Sequence, residues 1–182
     1  MSADLQRQAA RVAKGDRAAF RTIVEHTQVP LHRLASRLLG NPAEAEDVLQ
    51  EAYVKAYRAL AADRFSGDSA LQTWLYRIVT NAALDHMRRG RPKEKSAESV
   101  PEPQMDGAGS AEARMALREL DEWLQDLTPD QRAVVILKAV EGMTTPEVAE
   151  VLACSEGAVE QRLVRARAPL RDKRDQTESR KP

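Results

Sequence analysis

Apolar residues in the front half of the chain recur every three or four positions, as one face of an α-helix requires. Leu5, Ala9 and Val12 form one such stripe; Phe20, Ile23 and Val24 a second; Leu31, Leu34, Leu38 and Leu39 a third. Gly15-Asp16 separates the first two, and Pro30 predicts a break or kink before the third. Gly40 ends that helix. Asn41-Pro42-Ala43-Glu44 opens the next, with Asn41 as N-cap, Pro42 at the first helical position and Glu44 where a capping box places its carboxylate. The spacing of Ala45, Val48, Leu49, Ala52, Tyr53 and Ala56 carries it to about Leu60. The loop 63–69 precedes a further helix that ends at Arg89, stopped by Gly90 and Pro92.

The pattern lapses over 91–113, where Pro92, Pro101, Pro103, Gly107 and Gly109 stand among residues with little to bury. Such a segment cannot offset its ordering entropy, so it reads as a flexible tether. Helical spacing returns in Leu117, Leu120, Leu124 and Leu127. Thr128-Pro129-Asp130-Gln131 has the form of a capping box with proline at N1, opening a helix through Val134, Val135 and Leu137 that stops near Gly142. Thr145-Pro146-Glu147 opens a short helix ending around Leu152. After the turn Ala153-Cys154-Ser155, Ser155 caps a last helix with Val159, Leu163, Ala166 and Leu170 inward. The expected fold is all-α, with one domain over 1–92, a linker over 93–112, a second domain over 113–175 and a disordered tail over 176–182.

Composition agrees. Of 182 residues, 42% are hydrophobic and only 4% aromatic, which suits small helical cores and disfavours large β-sandwiches. Twenty-eight basic residues balance 28 acidic ones, which argues against a protein that coats nucleic acid without specificity. The balance is segregated, however. Residues 1–95 carry 16 basic and 11 acidic side chains, 96–112 carry only 4 acidic ones, and 158–174 carry 6 basic against 2 acidic. The one cysteine, Cys154, excludes an internal disulfide framework, and His26, His32 and His86 lack the spacing of a metal site. The N-terminus has no apolar core of a signal peptide and no stretch is long enough to span a membrane, so a cytoplasmic protein without membrane insertion is expected. A Gly-rich phosphate loop, a Cys/His nucleophile pair and a zinc-protease motif are all missing. No enzyme, no small-molecule substrate and no cofactor is therefore expected.

Three constellations remain. A short helix, a three-residue turn and a longer basic helix have helix-turn-helix proportions, with small Ala149 where the two helices cross. Inward placement of 159, 163, 166 and 170 turns Glu160, Gln161, Val164, Arg165 and Ala168 outward. Gln161 or Arg165 suits base edges in a major groove, and Arg162, Arg167, Arg171, Lys173 and Arg174 suit phosphates. Glu44, Asp47, Gln50 and Glu51 share one helical face, which is either a solvated surface or a dock for a basic partner. Arg77, Asn81, Asp85 and Arg88 share another, suited to unstacked bases and phosphate, while Trp74 belongs to the buried stripe beside it.

Together these segments resemble the extracytoplasmic-function group of bacterial sigma factors. The resemblance rests on KGDRAAF (14–20), EDVLQEAYVKAYRAL (46–60), RFSGDSALQTWLYRIVTNAALDHMRR (64–89) and LTPDQRAVVILKAVEGMTTPEVAEVLACSEGAVEQRLVRARAPLR (127–171), in the family's order. It implies that the first domain is region 2, which binds the β′ clamp helices of core RNA polymerase and opens the −10 promoter element. Asp47, Gln50 and Glu51 match the DxxQE motif of the core-binding helix. Asn81 falls where the family captures an unstacked base beside the loop from Arg64 through Ser66 to Ser69, with Arg77 and Arg88 on the same helix; Asp85 stands where some members carry Asn. The second domain is implied to be region 4, resting on the β flap and reading the −35 element with Thr145, Glu160, Gln161, Arg162, Val164, Arg165 and Arg167. Ala153 replaces the glycine common at the turn, which predicts either negative φ or modest strain. The resemblance further implies an anti-sigma factor as partner. A stand-alone helix-turn-helix regulator and a sigma-like decoy that sequesters an anti-sigma factor are the alternatives; the DxxQE match opposes the first and the intact basic helix the second.

Overall fold

A computed structural model describes residues 2–90 and 121–178, with side chains placed as far as 171. The segment read as a linker, and Leu117 and Leu120 of the helix that follows it, lie outside the described residues. Four helices make the front half: α1 (Ser2–Ala13), α2 (Arg17–Leu39), α3 (Pro42–Ala61) and α4 (Leu71–Arg89). The punctuation expected from sequence is realised at both ends of α2. Asp16 caps it through bonds from the Ala18 and Ala19 amides, and Gly40 ends it in the left-handed region at φ +70°. Asn41 caps α3 with Pro42 inside its first turn.

Pro30 does not break α2, contrary to the sequence reading. The helix runs through it because Ile23, Thr27, Leu31 and Leu34 are buried on both sides of the proline. The carbonyl that loses its amide partner belongs to His26, which is exposed and can be met by water. Thr27 is accommodated by donating to the Ile23 carbonyl and pairing with the Tyr53 hydroxyl at 2.8 Å. Burial pushes the Tyr53 phenol above its usual range. Phe20 meets the rings of Tyr53 and Tyr57 edge-on, at centroid distances of 6.2 and 5.1 Å, closing the α2–α3 contact.

The rear half contains a helical stretch at 121–125, then α5 (Pro129–Val135), a π-helical turn (Ile136–Val140), α6 (Thr145–Val151) and α7 (Glu156–Glu178). Helix α7 extends three residues into the stretch read from sequence as a disordered tail. Thr128 forms a complete capping box with Gln131. For α6 the box is Thr144 with Glu147, one residue earlier than the Thr145 start expected from sequence. The Thr144 hydroxyl and amide both donate to the Glu147 carboxylate at 2.7 Å, which holds its pKa below the ordinary value. A lowered folded-state pKa means that the cap stabilises α6 fully at neutral pH and that this contribution is lost as pH falls through the carboxylate range. Amide exchange in the first turn of α6 should accelerate there, and Glu147→Gln should abolish that pH response; an unchanged response in the variant would refute the assignment.

The turn between α6 and α7 contains Ala153 at φ +49°. Of the two possibilities left by the sequence, the strained one is realised, since an L-residue with a Cβ pays about 1–2 kcal/mol in this region. Ala153→Gly should therefore raise the melting temperature of the rear half by a few degrees, the relief of strain outweighing the extra entropy of an unfolded glycine. A fall on calorimetric scanning would show that the turn is not strained.

The two halves pack together: α4 lies against α5 and α6, and the buried side chains of both form one continuous cluster. Polar groups cross the seam. Tyr76 donates to Glu141 at 2.8 Å, and Arg37 pairs with the same carboxylate at 3.6 Å. Burial, followed by the Glu141 charge, raises the Tyr76 phenol far above its ordinary value, so it remains a donor. Glu141 follows the π-helical turn, whose extra residue redirects the chain just before Gly142 at φ +71°.

At the centre of the rear half is Arg132, 5% exposed. Its guanidinium donates to the carbonyls of Leu124 (2.9 Å), Gln125 (3.0 Å) and Leu127 (3.4 Å), and across the seam to that of Leu38 at 2.6 Å. It thereby serves carbonyls near a helix end in each half, where backbone donors run short. Burial lowers its pKa, opposed by the nearby Asp126 charge.

Candidate functional site

Helix α3 buries Ala45, Val48, Leu49, Ala52 and Ala56, so the opposite side of the same helix faces solvent. Asp47, Gln50 and Glu51 are all exposed there, their side chains making no hydrogen bond or ion pair to any described residue. Glu44 does not belong with them. It is partly buried, accepting from Asn41 at 3.1 Å and meeting His86 Nε2 at 2.9 Å, which fixes the start of α3 to the end of α4. The face is thus three residues of unopposed polar and acidic character.

On α4 the buried stripe includes Leu71, Trp74, Leu75, Ala82 and Ala83. Trp74 is 8% exposed and lies 5.1 Å from the half-buried ring of Phe65, so it is part of the core and unavailable to stack on a base. This tilted ring pair fixes the loop that presents Arg64 and Ser66 to solvent. A cavity of about 270 Å³ opens between this loop and α1, lined among others by Gln6, Asp63, Phe65 and Gly67. Gln6 donates to the Ser69 carbonyl at 3.4 Å, while its Oε1 is buried without a partner. Nothing in the sequence singled out Gln6, because the loop it reaches is 63 residues away. Farther along α4, Asn81, Asp85 and Arg88 are exposed and Arg77 is partly so, all on the expected face. Asp85 lies 3.8 Å from Arg88.

In the rear half, Val148, Ala149, Val151, Val159 and Ala166 hold α6 against α7. Glu160, Gln161, Val164, Arg165, Arg167 and Ala168 then point outward as the spacing predicts. Val164 is 59% exposed, an apolar side chain kept in water on a face otherwise polar. Thr145 donates to Glu160 at 3.2 Å, which ties the start of α6 to the outward face of α7 and sets the carboxylate's direction. Arg162 departs from the expected phosphate-facing position. It is turned inward, pairing with Asp130 at 3.6 Å and donating to Cys154 Sγ at 3.3 Å.

The arrangement comprises an acidic face on α3, a polar face and loop on and before α4, and a helix-turn-helix whose second helix presents a mixed polar surface. The chain as a whole resembles known proteins. The Sigma-70 region 2 family matches residues 23–92 and the Sigma-70, region 4 family matches 117–170. The RNA polymerase sigma-H factor of Pseudomonas aeruginosa is 37% identical over 172 residues, covering 88% of each chain. The ECF RNA polymerase sigma-E factor of Escherichia coli K12 is 34% identical over 175 residues, covering 90% of each. Among solved structures, CnrH in complex with the cytosolic domain of CnrY superposes with a TM-score of 0.70 at 32% identity, covering 94% of this chain and 97% of that one. The sigma factor RpoE of Bartonella quintana, bound to the anti-sigma factor NepR, shares the fold with a TM-score of 0.66 at 23% identity, covering 86% and 96%.

Proposed function

Because the chain belongs to the extracytoplasmic-function group of sigma-70 factors, we propose that Asp47, Gln50 and Glu51 dock it on the β′ clamp helices of core RNA polymerase, that Arg64, Ser66, Arg77, Asn81, Asp85 and Arg88 handle the −10 element, and that Thr145, Glu160, Gln161, Arg162, Val164, Arg165 and Arg167 read the −35 element from a domain resting on the β flap. The chain is an alternative sigma factor, binding core polymerase and directing promoter-specific initiation. It acts in the cytoplasm and contributes no catalytic group, the polymerisation chemistry belonging to the core enzyme. Among the described residues no helix is long and apolar enough to cross a membrane.

The observation that carries the reading is the α3 face: exposed carboxylates without partners among the described residues, on a helix otherwise dedicated to the core, are available for a basic partner. The physics of the rest follows from charge. A chain of zero net charge has little affinity for DNA at large. Two weak readers carried on one polymerase reinforce each other through effective concentration. Unstacking a −10 base costs a few kcal/mol. The cavity beside the 63–69 loop and the Asn81 amide offset part of that cost. In the −35 reader, Glu160 held by Thr145 accepts from cytosine N4, and Val164 meets a thymine methyl.

CnrH was solved with the cytosolic domain of CnrY, and the Bartonella RpoE with the anti-sigma factor NepR. A cognate anti-sigma factor likewise holds this chain inactive until its signal arrives. The decisive experiment mixes the purified chain with core RNA polymerase and a library of promoter fragments. Initiation from a defined subset sharing −10 and −35 sequences is expected; binding to DNA without polymerase, or no start-site selection with it, would overturn the assignment.

A further inference from the structure

Asp130 stands in the first turn of α5, beside the seam between the halves. Its carboxylate oxygen Oδ1 is 3.3 Å from Arg88 Nη2 of α4 and 3.6 Å from Arg162 Nη2 of α7. One carboxylate thus occupies a cation from each of the two proposed DNA-reading surfaces. The polymerase-facing carboxylates differ: Asp47 and Glu51 have no partner among the described residues. From this asymmetry we infer that the free chain is closed by a clasp in which Asp130 takes the place that backbone phosphate takes in the working complex, blocking both promoter contacts and keeping the rear half from its own seat on the polymerase while the α3 face stays exposed. The inference rests on the sigma-factor reading above.

The geometry supplies a reason for such a device. Elements whose names place them about 25 base pairs apart lie roughly 85 Å apart on B-form duplex. With α4 packed directly on α5 and α6, the two readers are too close together to straddle that length. The closed chain must separate along this seam before it can use both elements. Arg132 permits separation, since opening removes its bonds to the Leu38 carbonyl and Met87 Sδ and leaves three carbonyl partners within its own half. Asp130, Arg88 and Arg162 are all partly solvent-exposed, so salt and competing anions reach the clasp. A closed resting state lowers apparent affinity for any partner that needs the open one, by the fraction of open chain.

The test places a donor and an acceptor dye on Arg21→Cys and Glu150→Cys, exposed positions in the two halves, with Cys154→Ser preserving an acceptor for Arg162. Asp130→Arg replaces attraction by repulsion, and Asp130→Asn removes the charge while keeping the helix start. Energy transfer should fall in both variants, and high salt should lower it in the parent only. Affinity for core polymerase should rise about threefold or more with either variant, in line with the larger open fraction. If Asp130→Arg fails to retain the helical circular dichroism of the parent, Asp130→Asn decides alone. Unchanged transfer, or opening without a gain in core affinity, would overturn the clasp. Loss of core binding in the parent would instead remove the sigma-factor reading, while the transfer measurement would still judge the clasp by itself.

Discussion

Replacing Arg132 with methionine is expected to unfold the rear half near physiological temperature while leaving α1–α4 folded. The methionine fills much of the stem's volume, so the loss is electrostatic rather than a cavity. Four carbonyl oxygens, those of Leu124, Gln125, Leu127 and Leu38, lose a charged donor in a site that water does not reach. Each hydrogen bond to a charged group contributes about 1.5–3 kcal/mol, so losing several together costs about 3–5 kcal/mol or more. A helical unit of some sixty residues has only about 3–9 kcal/mol in all. The expected fall in melting temperature is therefore about 10 °C or more. Arg132→Lys retains the charge but lacks the planar fork that reaches several carbonyls at once, and should lie between the two. Circular dichroism melting with residue-resolved amide exchange checks both. Melting within about 3 °C of the parent for Arg132→Met would show that the carbonyls find other donors and that the arginine is not what organises this half.

Arg132 also shows where sequence reading reaches its limit. The helices themselves were legible: Asn41-Pro42, Thr128-Pro129 and Gly40 act at the positions their chemistry demands, because caps are local. The outward set on α7 was legible for the same reason, since a buried stripe fixes its own complement. Arg132 does carry a local signal. It falls three and four positions before Val135 and Ile136, both buried, so a charge sits on the core face of its own helix. Pro30 is the opposite case, local punctuation overruled by a long buried stripe on either side of it.

What no periodicity could reveal is the seam. Tyr76 and Glu141 are 65 positions apart and Arg88 and Asp130 are 42 apart, and a pairing at that separation leaves no local trace. The same limit applies to the site. Asp47, Gln50 and Glu51 share a face by helical geometry alone, yet spacing could not separate a solvated face from a dock. Burial on the other side of α3, the withdrawal of Glu44 toward His86 and the absence of partners for the remaining three narrow the choice. Arg162 went the other way. Its position on the recognition helix was readable, but its engagement with Asp130 depended on the fold.

Reversing the α3 face, with Asp47→Lys and Glu51→Lys together, is expected to weaken binding to core polymerase by about 100-fold, equivalent to about 3 kcal/mol, and to silence initiation at ordinary concentrations. The folded state should hardly notice. Both side chains are exposed, and the new lysines add only mild repulsion, chiefly between positions 51 and 55 on the same helix face. That separation of effects gives the prediction its force, because a variant that merely misfolded would lose binding at every ionic strength. Here the parent's affinity should fall as salt rises, through screening of an acidic face against a basic one, whereas the reversed variant should bind weakly at low salt and gain slightly as repulsion is screened. Titration against labelled core polymerase at two salt concentrations, with a melting curve for each protein, measures all of this. If the double variant binds as tightly as the parent, the carboxylates on α3 are a solvated surface after all, and the polymerase must hold the chain by a different face.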